Sequence, residues 1–496
     1  MMLVFLLLVG CASGSLTCMG PAAYLEKVRN DPARLEPFVR AIPKGGDLHT
    51  HLAGVPAGES YLKWAASDDK CIDITSWVVK KAPCTGNTIP ASAVLADRGL
   101  TKGAVKAFTM LDFPLLPPRF GHDHFFATFD LFGEASKGHS HDMLAEAAIR
   151  AAADNTDYLE LLHTLLPESL GKIAGSQTWT GDIEAWYTAT IDSIRAIVPS
   201  QMAEIDNIIT RQRAVLACQG PAPPEACGVN IRFIQQAIRV MPNPLVFATL
   251  ILGAEMAGQD PHIVGVDLVA PEDDHTALAN YDTHMKMLAF LKSKYPAFNI
   301  NLHAGELTAA FVGHSDLSFH VTQAVKTARA NRIGHGVAIK NEPGWQDLLT
   351  QMARERIGVA MLFTSNAQIL GVIGEDHPFR TYVAAGVPVM ISTDDQGVSR
   401  GSHTGEFVRA ISTYGLTWQE IVTLVRTSLD ISFLGGQGLW KTPGTYTTPV
   451  KACMSDTLGS TSPSMPCATF LKSNDKAAEQ WRLEGRLTAF ENRRWK

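Results

Sequence analysis

The stretch Gly45-Gly46-Asp47-Leu48-His49-Thr50-His51 has the pattern of a short strand whose last residues carry polar side chains. Side chains two residues apart on a strand point to the same face, so His49 and His51 can reach one metal ion without distortion of the backbone. His-x-His pairs also occur at 122–124 and 139–141, but in loop or helix contexts, where the two side chains diverge. We interpret those two pairs as structural or surface residues, and the pair in the strand as a candidate metal site.

Seven more short β-branched runs follow this stretch, each leading into residues with helical periodicity, which is the pattern of parallel βα units. Eight parallel strands and their helices close into a (β/α)8 barrel, so the sequence predicts an α/β protein with the TIM-barrel fold. The functional site of such a barrel lies at the C-terminal ends of the strands. The predicted strands are 45–51, 158–162, 229–233, 263–268, 300–303, 332–335, 357–363 and 387–393.

The spacing of these strands predicts one domain with two insertions. The chain has 496 residues, and a barrel with insertions can exceed roughly 400 residues as a single unit. We place the barrel domain at 21–496 and the insertions at about 55–155 and 167–228. The length of the first insertion predicts a lobe over the barrel mouth rather than a linker.

Six of the eight cysteines lie near one another in sequence, in segments rich in Pro, Gly, Ser or Thr. A loop without a core of its own gains stability from a covalent bond in an oxidising compartment. No pair has the C-x-x-C spacing of a metal or redox motif. We therefore predict inserted loops clipped by three local disulfides: Cys71 with Cys84, Cys218 with Cys227, and Cys453 with Cys467.

Residues Met1 to Gly10 form an apolar run that is too short to span a bilayer, and they predict a signal peptide within residues 1–20. The stretch Leu8-Val9-Gly10-Cys11 also resembles the lipobox of bacterial lipoproteins, in which this cysteine is acylated. Because no Lys or Arg precedes the run, ordinary cleavage a few residues later and a misassigned start codon are alternatives. We expect a protein outside the cytoplasm: in the periplasm or on the outer membrane of a bacterium, with membrane contact only through this lipid, or otherwise secreted.

The composition describes a globular protein without a polyanionic partner. Apolar residues make up 46% and charged residues 19% of the chain, which is enough to bury a large core. The net charge is −6, and no long run of Lys or Arg occurs. A nucleic-acid polymer is held by many cationic contacts to phosphates, so we do not expect one as a partner.

Titratable side chains end three further predicted strands. They lie in His303-Ala304-Gly305-Glu306, in Gly334-His335-Gly336 and in Ser392-Thr393-Asp394-Asp395. The interior of a barrel is normally filled by Val, Ile and Leu, so polar groups at the mouth ends of four strands indicate function rather than packing.

Taken in chain order, these motifs resemble the adenosine deaminase family of the amidohydrolase superfamily. The resemblance covers nearly the whole barrel and rests on Asp47 to Gly54, His303 to Glu306, Arg332 to Val337, Ser365-Asn366 and Thr393 to Asp395. Gly265 to Val269 and Ser365 to Leu370 are similar to the secreted branch of that family, the adenosine deaminase-related growth factors.

The resemblance implies one zinc ion per chain with a proton-transfer group beside it. Three neutral imidazoles and a carboxylate suit zinc, and the implied ligands are His49, His51, His303 and Asp394. The ion would supply an activated water for attack on C6 of a purine. Glu306 is implied to give a proton to ring nitrogen N1 and to help ammonia leave, while His335 orients the attacking water.

The resemblance also implies contacts to the substrate. Asp395 would hydrogen-bond N7 of the purine, which requires one of the two to be protonated. The backbone N–H of Ala270 would meet purine N3, and Glu160 matches a position that contacts ribose in the secreted branch. Ala53 stands where the family usually has an acidic residue that holds the ribose 5′-hydroxyl, so that contact is absent here.

We therefore expect hydrolytic deamination of adenosine or 2′-deoxyadenosine, a small purine nucleoside, by a monomeric enzyme. Another one-metal amidohydrolase, such as an adenine or modified-purine deaminase, is the first alternative. The predicted strand 263–268 lacks the Lys that bridges two metals in other members, which favours one metal. A secreted adenosine-binding protein without catalysis is the second alternative.

Overall fold

A computed structural model describes residues 19–114 and 117–496. The predictions made for residues 1–18, namely most of the signal peptide and the acylation of Cys11, lie outside these ranges. Across the two described ranges, no helix has both the length and the apolar character needed to cross a membrane.

Eight parallel strands form the barrel, in two hydrogen-bonded sets of four, β1-β5-β6-β7 and β8-β9-β10-β11. The strands of the chain are β1 (Gly46–His51), β2 (Cys71–Asp73), β3 (Val79–Lys80), β4 (Thr88–Pro90), β5 (Tyr158–His163), β6 (Asn230–Ile238), β7 (Ile263–Val269), β8 (Asn301–Ala304), β9 (Arg332–His335), β10 (Gly358–Met361) and β11 (Val389–Ile391). Parallel bridges from Thr50 to Asp394 and from Val266 to Ile300 join the two sets. The predicted (β/α)8 barrel is confirmed.

The strand β6 extends furthest beyond its predicted end, while β5 and β7 each extend one residue further than predicted. It continues to Ile238, beyond the predicted end at residue 233. Gln235 and Gln236 interrupt its apolar pattern, but both amides are bonded within the fold. Gln235 exchanges hydrogen bonds with the backbone of Leu165, accepting from its N–H at 3.1 Å and donating to its carbonyl at 2.9 Å. Buried polar side chains with partners are compatible with a barrel strand.

Helices surround the barrel and build both insertions. They are α1 (Pro21–Val28), α2 (Pro32–Ala41), α3 (Gly58–Ser67), α4 (Ala91–Ala96), α5 (Arg98–Phe108), α6 (Pro118–Ser136), α7 (Ser140–Ala153), α8 (Glu168–Gly175), α9 (Ile183–Val215), α10 (Asn243–Ala257), α11 (His275–Lys294), α12 (His320–Lys326), α13 (Trp345–Glu355), α14 (Phe363–Leu370), α15 (Phe379–Ala384), α16 (His403–Tyr414), α17 (Trp418–Asp430), α18 (Met465–Lys472) and α19 (Asp475–Glu491).

Local sequence sets the ends of these helices. Thr417 and Glu420 form a capping box at the start of α17, each side chain accepting a backbone N–H of the other residue, which stabilises the first turn. The helix α10 is buried from Val246 to Met256 and packs on β6 and β7. Its nearly continuous apolar sequence is that of a helix covered on all sides rather than on one.

All three predicted disulfides are present. The first insertion carries the antiparallel sheet β3-β2-β4, and the Cys71–Cys84 disulfide links β2 to the loop before β4. The second contains the 33-residue helix α9 and the Cys218–Cys227 disulfide. The Cys453–Cys467 disulfide holds the segment after the barrel. Within the first insertion, α6 packs on α14, a helix that directly follows a barrel strand.

Candidate active site and metal centre

Four side chains from three strand ends converge on one point at the barrel mouth. His49 and His51 lie on β1, His303 lies on β8, and Asp394 follows β11. The Nε2 atom of His303 lies 3.0 Å from Nε2 of His49 and 3.1 Å from Nε2 of His51. Oδ1 of Asp394 lies 3.2 Å from Nε2 of His51 and 3.7 Å from Nε2 of His49. The sequence-predicted ligand set is therefore brought together in the structure.

Hydrogen bonds on the far side of two imidazoles orient them towards this point. Nδ1 of His303 donates to Oδ2 of Asp267 at 2.9 Å, and Nδ1 of His51 donates to Oε1 of Gln236 at 2.9 Å. In the neutral rings, each Nε2 atom then carries a free lone pair, and the two Nε2 atoms face each other. Ligand atoms at about 2.0–2.2 Å from one metal ion are themselves roughly 3–4 Å apart, as these atoms are. The far-side partners are of the kind that fixes metal-binding imidazoles.

The protonation properties of this group also fit a bound cation. Burial lowers the pKa of His49 and of His303 well below the usual value, and the charges of neighbouring imidazoles lower it further. Both rings are therefore neutral. Burial opposes protonation of His51, but the carboxylates of Asp395 and Asp394 outweigh it and raise the pKa of His51 to about 10. The point where the ligand atoms meet thus favours a positive charge. Oδ1 of Asp394 is buried without a hydrogen-bond partner among the described residues.

Glu306 and His335 lie beside the ligand group. Burial, with the negative charges of Asp394 and Glu272, raises the pKa of Glu306 well above its usual value, which favours the protonated form of this carboxyl. His335 receives its orientation from Asn366, because its Nδ1 donates to Oδ1 of Asn366 at 2.8 Å. Nε2 of His335 is then an acceptor, and it is buried with no partner in the described structure.

Asp395 is the third titratable group beside the ligands. Burial, with the charge of Asp394, raises the pKa of Asp395 to about 8 despite the opposing effect of His51. Its Oδ1 atom lies so close to the 3₁₀ turn after β1 that a Cβ added at Gly54 would be 1.6 Å away. Only glycine leaves room for this carboxyl, which explains why the motif that begins at Asp47 ends in Gly54.

Three residues of this region have left-handed backbone conformations that non-glycine residues rarely adopt. The φ angles are 86° at Ala270, 66° at His335 and 57° at Asp394. All three follow or end a barrel strand at the mouth. Such conformations cost of order 1–3 kcal/mol each and concentrate at functional sites.

Two buried carboxylates without a predicted role, Glu272 and Asp47, form hydrogen bonds that position this site. Glu272 accepts the backbone N–H of Gly305 at 3.1 Å and of Glu306 at 2.7 Å, and it accepts a hydrogen bond from Nδ1 of His320 at 2.6 Å. On the opposite side, Oδ2 of Asp47 accepts the hydroxyl of Thr393 at 2.6 Å. The only signal for such roles in the sequence is a carboxylate near the mouth end of a strand.

A cavity of about 520 Å³ opens from the ligand group to the surface. Its floor contains Glu306 and Asp395, and its outer wall contains Phe125, Phe126 and Phe129 of α6. Ala270, the predicted backbone contact to purine N3, also lines it. The volume lies in the range of small-molecule sites. A second cavity, of about 630 Å³, lies at the N-terminal ends of β9 and β10, and none of the residues of the ligand group lines it.

Glu160 does not line this cavity. The side chain is fully buried within the barrel, and its Oε2 atom forms an ion pair with Arg332 at 2.6 Å. Its Oε1 atom accepts the Tyr158 hydroxyl at 2.9 Å and the Phe433 backbone N–H at 2.6 Å. Arg332 is the first residue of β9, so this pair lies towards the N-terminal ends of the strands. The predicted ribose contact by Glu160 is therefore not supported, and the carboxylate is a structural ion-pair partner.

Comparisons with known proteins agree with the site. Residues 201–438 match the sequence model of the adenosine deaminase family. An adenosine deaminase of Shewanella loihica is 30% identical over 174 residues, which are 35% of this chain and 47% of that protein. A probable adenosine deaminase of Dictyostelium discoideum is 29% identical over 173 residues, 34% of this chain and 20% of that protein. The matches thus span less than half of the length of these relatives.

Solved structures share the fold at low sequence identity. An N6-mAMP deaminase of Arabidopsis superposes with a TM-score of 0.51 at 21% identity, over 80% of this chain and 96% of that one. An adenine deaminase of Arthrobacter aurescens gives a TM-score of 0.50 at 17% identity, over 79% of this chain and 94% of that one. The barrel and the buried His and Asp group thus occur in a chain whose residues 201–438 are similar to the adenosine deaminase family.

Proposed function

We propose that the protein is a zinc-dependent deaminase that hydrolyses adenosine or 2′-deoxyadenosine to inosine or 2′-deoxyinosine and ammonia. The observation that carries this proposal is the convergence of three imidazole Nε2 atoms and one carboxylate beside the buried Glu306, in the lining of one cavity. The reaction consumes one water: a C–O bond forms at C6 of the purine, and the C6–N bond to the exocyclic amine breaks.

Zinc is the metal that best suits this donor set. Three neutral nitrogen ligands and one carboxylate oxygen match its preferences. When bound by His49, His51, His303 and Asp394, it would polarise a water molecule and lower its pKa towards neutrality. The remaining groups of the site act on protons and on the orientation of the substrate.

Glu306 supplies the proton that the purine needs. As water adds at C6, negative charge builds up on ring nitrogen N1, and a carboxylic acid whose pKa is raised by burial can donate there. The resulting carboxylate then accepts one proton from the added oxygen and passes it to the departing amine, and the second proton of the added water returns Glu306 to its acid form as the C6=O bond forms. His335 presents Nε2, with no proton on it, towards the ligand group and orients the attacking water through a hydrogen bond.

Asp395 orients the base. With its pKa raised to about 8, this carboxyl is protonated at neutral pH and can donate to N7 of the purine. Ala270, at the rim of the same cavity, offers its backbone N–H to N3. These two contacts select a flat bicyclic base over a single ring.

Other purine deaminases are the alternative that the comparisons favour. The neighbours of the same fold include an adenine deaminase and an N6-mAMP deaminase. The floor of the cavity serves any 6-aminopurine, so the substituents at N6 and N9 separate these activities. A silent binding protein is disfavoured, because such a protein has no need of a buried carboxylic acid beside a metal group.

Export from the cytoplasm is part of the proposal. Three disulfides in loop segments support it, because such bonds persist in oxidising compartments. Fractionation of the native host, with the protein detected in the periplasmic, membrane and secreted fractions, tests this point. Recovery in the cytoplasm with reduced cysteines would contradict it.

Turnover of the wild-type protein and of Glu306→Gln tests the activity. Zinc-loaded wild-type protein should lower the absorbance of adenosine and release ammonia, whereas the variant should lose roughly 10³-fold or more in kcat. The variant should keep its zinc, because Glu306 is not a ligand. The matched control is Glu168→Gln, whose side chain is 85% exposed in an i,i+4 pair with Lys172 and should turn over normally. A wild-type protein that leaves adenosine, 2′-deoxyadenosine and adenine unchanged would refute the proposal.

A further inference from the structure

The outer part of the cavity is an apolar wall with one carboxylate in it. Phe125, Phe126, Phe129 and Asp130 of α6 all line the cavity. Asp130 lies one helical turn after Phe126, so both side chains are on one face of the helix. Opposite this face, Ile369 of α14 contributes to the lining.

Within the described part of the chain, Asp130 is the polar side chain of the outer cavity that has no hydrogen-bond or ion-pair partner. Apart from the ligand group, Glu306, His335 and Asp395, the polar side chains of the lining are Gln236 and Asp130. Both amide atoms of Gln236 already have protein partners, because Oε1 accepts a hydrogen bond from His51 at 2.9 Å and Nε2 donates one to Oγ1 of Thr164 at 2.7 Å. Asp130 is exposed and forms neither a hydrogen bond nor an ion pair with any described side chain.

The charge around this carboxylate is not that of a phosphate site. Among the described residues that line the cavity, none is Lys or Arg. Arg119, on the same helix, is neutralised by Asp123 at 3.2 Å and by Asp273 at 3.1 Å. A phosphate monoester carries about −1.5 to −2 charges and is held by cationic side chains. A carboxylate at the same place repels it.

We propose that Asp130 accepts a hydrogen bond from a ribose hydroxyl and excludes nucleoside phosphates, so that the substrates are uncharged 6-aminopurine nucleosides. This inference rests on the proposed deaminase function and specifies its substrate class. The base occupies the floor near Glu306 and Asp395, so the sugar at N9 extends towards α6. There the phenylalanine rings cover its carbon face, and Asp130 is the uncommitted acceptor for its hydroxyls.

The first experiment compares adenosine with AMP. We expect kcat/KM for adenosine to exceed that for AMP by at least about 100-fold in the wild-type protein. Asp130→Asn removes the charge and should reduce this ratio by roughly 10-fold. The matched control is Glu168→Gln, which removes an exposed carboxylate outside the cavity lining and should leave the ratio unchanged. Equal turnover of adenosine and AMP by the wild-type protein would overturn the proposal.

The second experiment identifies the hydroxyl. Asp130→Ala should lower kcat/KM for adenosine by roughly 10- to 100-fold, the effect of a lost hydrogen bond to a charged group. With 2′-, 3′- and 5′-deoxyadenosine as substrates, the loss should disappear for the analogue that lacks the contacted hydroxyl. An equal loss with all three analogues, or no loss with adenosine, would overturn the hydrogen bond.

Binding of the products separates this proposal from the proposed reaction. We expect calorimetry to show inosine binding at least about 10-fold tighter than IMP, and the difference to shrink in Asp130→Asn. If no purine is deaminated but inosine is preferred over IMP, the reaction is wrong and the role of Asp130 stands. If adenosine is deaminated but IMP binds as tightly as inosine, the reaction stands and the role of Asp130 is wrong.

Discussion

Two buried charged clusters occupy the same barrel, and they differ in how completely their atoms are paired. Towards the N-terminal ends, Glu160 is held by Arg332, by the Tyr158 hydroxyl and by a backbone N–H. Arg332 in turn donates to Oδ1 of Asn301 at 2.7 Å and to the Leu48 carbonyl at 2.9 Å. Oε2 of Glu160 has no hydrogen bond of regular geometry, but it pairs with the permanent charge of Arg332 at 2.6 Å, so this cluster balances its charge without a ligand.

The cluster at the mouth is incompletely paired. Oδ1 of Asp394, Oδ1 of Asp395, Oε1 of Glu306 and Nε2 of His335 are buried without hydrogen-bond partners among the described residues. Leaving such atoms unpaired costs about 1–3 kcal/mol each, more if charged. The difference teaches that burial of charge alone does not mark a site. Burial of charge that is left unpaired indicates the position of a metal ion, a water and a substrate.

The largest expected effect comes from removing a ligand at the mouth. His303→Ala removes the imidazole that contacts both other histidines, so turnover of adenosine should fall to background while the protein remains folded. Parallel measurements of turnover and of thermal unfolding check this. A variant that keeps its activity would show that the mouth cluster is a structural network like the lower one.

Breaking the lower cluster should affect stability instead of chemistry. Glu160→Gln leaves the buried Arg332 without its counter-charge, which should lower the free energy of unfolding by about 3–5 kcal/mol. Denaturant unfolding measures this, and KM for adenosine should be unchanged. A raised KM with unchanged stability would instead restore Glu160 as a contact of the substrate.

A smaller effect is expected from the residue that positions Glu306. Glu272→Gln keeps the shape of the side chain but weakens its acceptance of the Gly305 and Glu306 backbone N–H groups. We expect kcat to fall by roughly 10- to 100-fold, with a smaller change in KM and with zinc retained. Glu272→Asp, which keeps the charge, should recover part of kcat. Equal losses in both variants together with lost zinc would mean that the residue only supports the fold.

The smallest effect should come from the disulfide of the first insertion. The double substitution Cys71→Ser and Cys84→Ser removes the disulfide of the first insertion. This disulfide joins two residues that are 13 positions apart in the sequence. Loop-closure entropy predicts a loss of about 3 kcal/mol confined to that insertion, with the metal group intact. Thermal unfolding with and without a reductant measures the loss. A loss of zinc in the double variant would show that the insertion holds the mouth together.

The sequence predicts the barrel and the metal group well because both have local signals. Each strand is a short β-branched run, and His49 and His51 stand two residues apart on one of them. The sequence does not predict the end of β6, because Gln235 interrupts the apolar pattern. Only the fold shows that the Gln235 amide is hydrogen-bonded to the backbone of Leu165.

The parts of the site that come from elsewhere in the chain had no such signal. In the sequence alone, Glu160 does not differ from any other carboxylate on a barrel strand. Only the fold shows that Arg332 lies beside it. Asp130 and the phenylalanines of α6 belong to an insertion, and their position over the mouth follows from the packing of α6 on α14. A linear sequence does not express such long-range packing.

The central claim is that four side chains hold one divalent ion at the mouth of the barrel. Metal analysis of the purified protein and of His303→Ala, after equal exposure to zinc and removal of free metal, tests it directly. We expect one zinc per chain in the wild-type protein and close to none in the variant. A wild-type protein that binds no metal, or a variant that keeps the full amount, would contradict the claim.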